Sequence, residues 1–457
     1  MSGLKAYTKE YASYLSKAEF ESLPDALIDN LKKCVLDTLG CAIAGSDKPE
    51  IVNFFKGFVE PEESGIGTIW GTGAKVTVDT AVTVNGAMSH TVELDDLHKP
   101  SKVHPGAVII PNVLTVGSAM NISGREALLA IAMGYETMIR LGMALGTDSH
   151  RRRGWHATAT CGSFGAAAAS GKILKLEELQ MANALGLAGT QTGGLMAYTA
   201  DGSMSKRFHA GKSAQNGWQS AKLAKAGFTG PTYVLEAPDG GYAHAASNKY
   251  DLDILTRDMG KTFHGIDVGL KYYACCGHIH QALDAAIKLK NRYGIEPDKI
   301  DSVKVYTYDV AGMTWGFSKP PKNTVEAQFS FPYAVAVALT DGAAFLPQFS
   351  ADRLSDPEIL SLAAKVTVET DDKFTARYPT QWSSAVEITI GGEKYYEEVI
   401  GAKGDPCNPL SYDEVIAKFR SLSGVYIGSE RQDRIIVTVD KLEQLENVNE
   451  LTKLMIL

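Results

Sequence analysis

The stretch PDALIDNLKKCVLDTLGCAIAG, residues 24–45, decides the fold class. Leu27, Leu31, Val35, Leu39 and Ala42 recur at spacings of four and three, and Pro24 stands where a first helical turn tolerates it. Such a stripe predicts a helix that must be buried against other helices. The same periodicity returns in residues 124–145, 161–174, 176–187 and 209–226. Many of these segments are rich in Ala and Gly, as in FGAAAASG at 164–171, and small side chains let helices approach closely. A tightly packed helical core is the expectation for the first half.

The pattern changes near residues 267–271. After a predicted helix over 280–293, period-two runs appear at 303–308, 365–369 and 385–390, with a helix over 331–338 and a turn at Thr340-Asp341-Gly342 between them. Strands and helices without regular βαβ spacing predict an α+β unit. From Ser411 the pattern is helical again, through Val415, Phe419 and Leu422 and then Leu442, Leu445, Val448, Leu451 and Leu454. The fold expected is therefore mainly α: a large all-helical domain of residues 1–266 plus 401–457, with a smaller α+β lid domain of residues 267–400 inserted.

Composition excludes several classes. In 457 residues, 45% are hydrophobic and 21% charged, which is ordinary for a globular chain of two or three domains and unlike disordered or fibrous sequences. The net charge of −8, from 45 Lys+Arg against 53 Asp+Glu, argues against nucleic acid and anionic membranes as partners. A secretory signal is not visible, and the apolar stretches at 107–120 and 127–134 fall short of the roughly 20 residues of a membrane span. Six cysteines without CxxC or zinc-like spacing fit a reducing cytoplasm.

The histidines are unevenly spread. His90, His98 and His104 fall within fifteen residues, where ten in the whole chain predict about 0.3. This first cluster, NGAMSHTVELDDLH followed by VHPG, also carries Glu93, Asp95 and Asp96; it admits acid/base work, a metal site, or helix-end capping with solvated imidazoles. In the second, RRRGWH at 151–156, the arginines read as a solvated face, or His156 faces a cleft with an anion at the following helix N-terminus. The third, DGSMSKRFHAGK at 201–212, is an anion trap or a basic loop paired to acidic neighbours. The fourth, KYYACCGHIH at 271–280, lies at the predicted domain junction, where one of its alternating histidines faces a cleft or both are solvated. No GxGxxG, Walker A or GxSxG run occurs, which disfavours nucleotide cofactors and serine hydrolysis.

Taken in order, these clusters resemble the MmgE/PrpD family, which includes 2-methylcitrate dehydratase, cis-aconitate decarboxylase and iminodisuccinate epimerase. The resemblance also covers DTLGCAIAG at 37–45 and EAQFS at 326–330, so it spans nearly the whole chain. It implies a homodimer of helical domains with α+β lids, no cofactor and no metal, and a small anionic polycarboxylate as substrate. The active-site positions it implies are Glu93 (commonly Asp in the family), His104, His156, Lys206 and His280. Arg207, His209, Asp95 and Lys271 are the expected substrate-binding or supporting residues.

All three activities make or break a bond at a carbon next to a carboxylate. A cation on that carboxylate, here Lys206 helped by Arg207 or His209, stabilises the charge that develops. Two imidazoles supply base and acid, with His104 and His156 as the leading pair, Glu93 or Asp95 orienting one of them, and His280 on the lid side. The expected activity is dehydration of a 2-methylcitrate-like hydroxy acid, with decarboxylation of the cis-aconitate type or epimerisation of the iminodisuccinate type as alternatives. More distant readings are a metal-dependent lyase or hydrolase built on His98, His104 and Asp95 or Asp96, and a non-catalytic polycarboxylate-binding protein.

Overall fold

The computed structural model describes residues 5–60, 64–314 and 320–457. The first half holds the helices α1 (Asp25–Gly45), α2 (Val78–His90), α3 (Pro105–Met120), α4 (Gly124–Ala144), α5 (Ala157–Ile173), α6 (Glu178–Gln191) and α7 (Ser205–Lys225). Beside them runs a short antiparallel ladder, Gly67–Thr68 against Lys75–Val76. In α1 the stripe is buried as the spacing predicts, but from Cys34 onward every residue is buried. A later helix, α10 (Tyr412–Ser423), lies across the other side, with Phe419 and Leu422 against Gly40.

Helix α5 occupies the middle, buried without a break from Ala157 to Gly171, as befits a helix that is small and apolar on every side. Its contact with α7 is backbone-close. A Cβ at Gly217 would lie 2.3 Å from that of Ala166, and one at Gly211 would lie 2.0 Å from the Thr83 carbonyl oxygen of α2. Helix α4 is the one helix, among the described residues, long and apolar enough to cross a membrane. It is packed inside, where Glu136 and Arg140 form a buried ion pair at 3.0 Å.

After residue 270 the chain builds α8 (His280–Tyr293), β1 (Ser302–Thr307), α9 (Phe331–Asp341), β2 (Val366–Thr370), β3 (Ser383–Ile390) and β4 (Glu393–Ile400). The sheet order is β2-β1-β3-β4. It is mixed: β1 pairs parallel with β2 (Val305 opposite Val368) and antiparallel with β3 (Val305 opposite Val386). Helices α8 and α9 pack together, with α8 against β3 and β4. Strand β4, EKYYEEVI, is an exposed and charged edge, which hides its period in the sequence.

Buried apolar residues fall into two clusters. One joins residues between Tyr11 and Leu270 to those between Leu410 and Met455, and the other joins Tyr273–Val399 residues to Val92, Leu94, Leu97 and Tyr198. Residues 270 and 404 lie side by side, with the Leu270 N–H donating to the Gly404 carbonyl at 2.9 Å.

Three expectations change. Helix α7 begins at Ser205 rather than 209, so Lys206 and Arg207 sit in a first helical turn and not in a loop. Helix α5 begins at Ala157 rather than 161. Beyond α11 (Ser429–Asp440), the leucine-rich tail forms short turns instead of one helix. Its backbone bonds elsewhere: Gly124 N–H donates to Leu445, and Val448 N–H donates to Ile122.

Candidate active site

The 85–106 run ends α2 at His90, crosses a loop and enters α3 at Pro105. Residues 91–98 are buried throughout, including Glu93, Asp95, Asp96 and His98, so the histidines of this cluster are not solvated. His104 is the N-cap of α3, and His156 is the N-cap of α5. Two imidazoles thus stand at helix N-termini, where the backbone dipole favours anions. Both line one small cleft of about 80 Å³, together with Lys206 from α7 and His278 from the loop ahead of His280. Leu97, Phe329 and Trp382 supply apolar wall.

Asp95 lies behind His104. Its Oδ2 accepts from Nδ1 of His90 at 2.7 Å and from Nδ1 of His104 at 3.1 Å. Burial alone would raise this carboxyl, but the two imidazoles hold it well below the usual carboxylate range. The His104 Nδ1–H also donates to the Asp96 carbonyl at 2.7 Å. With two acceptors around Nδ1, the tautomer is fixed and Nε2 is the nitrogen left for the cleft. Burial pulls the His104 imidazole down, and Asp95 opposes that pull. Among the described residues His156 has no carboxylate partner; its Nδ1 meets that of His209 at 3.1 Å, and burial, His209 and Lys206 keep it well below the ordinary value.

Glu93 works on a different network. Its carboxylate accepts from the Lys206 ammonium with both oxygens, lies 3.3 Å from Lys271 Nζ and 3.3 Å from Arg207 Nη1, and takes φ 57°. Burial opposes ionisation, but Lys206, Lys271 and Arg207 together keep Glu93 well below its usual range. Asp96 receives the Gly106 N–H at 2.8 Å and the Tyr135 hydroxyl at 2.7 Å, and burial pushes it up to about 8.

The described residues contain one convergence of metal-ligand types, His90, Asp95 and His104. His98 is not part of it, because its Nδ1 bonds Ser101 Oγ at 2.7 Å. The donor set fits a hydrogen-bonded relay better than a metal, since the nitrogens nearest Asp95 are spent as N–H donors.

Comparison with known proteins agrees with this arrangement. The profile of the MmgE/PrpD N-terminal domain matches residues 9–254, and that of the C-terminal domain matches residues 273–444. The chain belongs to the MmgE/PrpD family. Among curated members, it is 28% identical to a cis-aconitate decarboxylase of Aspergillus terreus, over 98% of this chain and 95% of that protein. The cis-aconitate decarboxylases of Mus musculus and Homo sapiens are 26% and 25% identical over 99% of this chain, and 94% and 95% of their own lengths.

Within this MmgE/PrpD chain, the residues singled out from sequence separate into layers. His104, His156 and Lys206 line the cleft. Glu93, Asp95 and Lys271 are buried behind it, Asp95 on the imidazoles and Glu93 on the cations, so Glu93 orients no histidine. Arg207 is buried and turned toward Glu93, the Thr91 carbonyl and Gln328, away from the cleft wall. His209 touches His156 rather than the cleft. His280 starts α8 and faces the Cys275 carbonyl and the Tyr273 ring. Its neighbour His278 is the cleft residue, stacked on Trp382 at 4.2 Å. The alternation of the two histidines was the signal; spacing alone does not say which one faces in. Lys102 and Arg151 also line the cleft; Arg151 belongs to the RRRGWH cluster whose arginines read as a solvated face, and Lys102 did not stand out in sequence.

Proposed function

We propose that this protein is a carboxy-lyase that releases CO2 from a cis-aconitate-type tricarboxylate by acid/base chemistry in the cleft of His104, His156 and Lys206. The observation that carries this reading is the end-to-end kinship with proteins named cis-aconitate decarboxylase. Dehydration of a 2-methylcitrate-like hydroxy acid gives way to it, because the relatives supply no support for a hydro-lyase.

The chemistry needs one proton and no redox partner. In cis-aconitate, the carboxylate on the methylene arm lies across one carbon from the double bond. Its C–C bond breaks, and the electron pair becomes a new terminal double bond. The old π pair takes a proton at the far vinyl carbon, which carries another carboxylate. CO2 leaves and a methylenesuccinate remains.

His104 suits the proton donor. Asp95 behind its Nδ1 stabilises an imidazolium, and a polyanionic substrate raises its proton affinity further. His156, without a carboxylate partner, stays neutral and suits a hydrogen-bonding role. The Lys206 ammonium can pair with the carboxylate beside the protonated carbon, where negative charge develops. A dehydratase or epimerase would need, in addition, a base on an α-proton.

Proton NMR of cis-aconitate in D₂O with the full chain tests the reading. Expected are terminal vinyl signals, one deuteron in the product methylene, and a drop of about 10²-fold or more in rate for His104→Ala and Lys206→Ala. Turnover of 2-methylcitrate with cis-aconitate left intact would overturn it.

A further inference from the structure

Among the described residues, neither Lys102 nor Arg151 forms an ion pair with a carboxylate. Lys102 Nζ is buried and makes no hydrogen bond, and its nearest compensation is the Tyr378 ring, 4.4 Å from the ammonium. Its backbone holds φ 55°, the left-handed region where glycine or asparagine is ordinary, so the position keeps a lysine against a local cost. Arg151 lines the same cleft, and burial opposes its charge, with Asp148 offsetting part of that. The nearby carboxylates bond Arg152, Asp148 Oδ2 at 2.7 Å and Asp309 Oδ2 at 2.8 Å; the other Asp148 oxygen is buried without a hydrogen bond and offers Lys102 and Arg151 attraction through space only. Burial and Arg151 push Lys102 down to about 7, the sign of an ammonium awaiting a counter-charge.

A desolvated cation pair facing a cleft is unfavourable until an anion arrives. Lys206 differs, because its charge is already met by Glu93. We propose that Lys102 and Arg151 form an anion subsite of the cleft, distinct from Lys206, that holds a second carboxylate of the substrate and makes the protein select polycarboxylates over monocarboxylates. This rests on the decarboxylase reading and adds a constraint to it. A carboxylate gripped by two cations is stabilised against leaving as CO2. The subsite therefore serves a carboxylate that the product retains, and the departing one falls to the apolar wall of Leu97 and Phe329.

The test is calorimetric binding of propane-1,2,3-tricarboxylate, an unreactive tricarboxylate, to the full chain. Lys102→Met and Arg151→Met should each weaken Kd by tenfold or more, Lys102→Arg should stay within threefold, and Arg153→Met, which removes an exposed cation bonded to Asn248, should change nothing. The unliganded melting temperature of Lys102→Met should be equal to or above wild type, because an unpaired buried charge is removed. With cis-aconitate, Lys102→Met should raise KM at least tenfold with kcat within threefold. Tight binding by wild type and within-twofold binding by both methionine variants would overturn the subsite while leaving the decarboxylase reading standing. Equal weakening by Arg153→Met would also overturn it. Absence of binding by wild type would refute the reading and the subsite together.

Discussion

Asp95→Asn isolates the relay behind the cleft. The substitution keeps the shape of a fully buried side chain and removes its charge. In the wild type, the Asp95 carboxylate accepts from His104 Nδ1 at 3.1 Å. With the imidazolium centre about 4 Å from that charge and an effective dielectric of about 20, the attraction is about 4 kcal/mol. An asparagine oxygen keeps a neutral hydrogen bond, so about half is lost, which is about 30-fold in the ease of protonating His104. The amide can also turn its NH₂ toward Nδ1 and favour the wrong tautomer, adding roughly another factor of ten. Steady-state rates with cis-aconitate should show kcat down by about 10²-fold, with KM within threefold. His104 must be protonated to act, and losing Asp95 lowers its proton affinity, so the basic limb of the pH–rate profile should move to lower pH. A kcat within threefold of wild type and an unmoved basic limb would refute the assignment of His104 as acid and Asp95 as its support.

Glu93→Gln leaves Lys206, Lys271 and Arg207 buried without their shared anion, and should destabilise the fold by about 3–5 kcal/mol in denaturant unfolding. A loss below about 1 kcal/mol would contradict its role as the clamp on these cations. His278→Ala should lower kcat/KM by about tenfold or more, and His280→Ala by far less, because only His278 faces the cleft; the reverse order in the same assay would restore the reading from sequence. His150 is buried between the Ala246 carbonyl and the Thr160 hydroxyl and is held down to about 4 by burial, against 6.5 for a free imidazole. The unfolded chain takes up that proton below pH 6.5 while the folded one resists until about 4, so stability should be flat above pH 6.5 and fall between 6.5 and 4, by on the order of 3 kcal/mol for this group. Calorimetric melting across that window should show a shallower fall for His150→Gln, and an identical slope would count against it.

Much of the helical layout was legible because the apolar period carries it: helix α8 spans the predicted 280–293, and α1 differs by one residue at its start. Strand β4 was not, since charged residues occur on both of its faces and break the apolar alternation. The C-terminal leucines showed a helical period, yet bonds to the start of α4 won over local preference. In the site, His104, His156 and Lys206 stood out by residue type and resemblance. The layering behind them did not, because a buried Glu93 or Asp95 looks like a solvated carboxylate until its partners are known. The partners of Glu93, Lys206 and Lys271, lie far along the chain, and those of Asp95, His90 and His104, are near in sequence but are brought onto one oxygen only by the loop between two helices. Lys102 was illegible for the opposite reason, that what marks it is a missing partner, and Arg151, visible in its cluster, could not be told from the solvated arginines beside it.

The close approach of α7 to α2 and α5 limits how this architecture can change. Any side chain at Gly211 would collide with the Thr83 carbonyl, and any at Gly217 with Ala166, so the helix bearing Lys206 cannot slide or tilt to suit a longer or shorter ligand. The lysine is in effect a fixed datum. Adaptation to new substrates then falls to the rest of the lining, where Lys102 and His278 come from short turns and Arg151 from the six-residue helix Thr147–Arg152, which can exchange residues without disturbing a long helix packing. A scaffold built this way keeps its chemistry constant and lets the remaining lining do the discriminating.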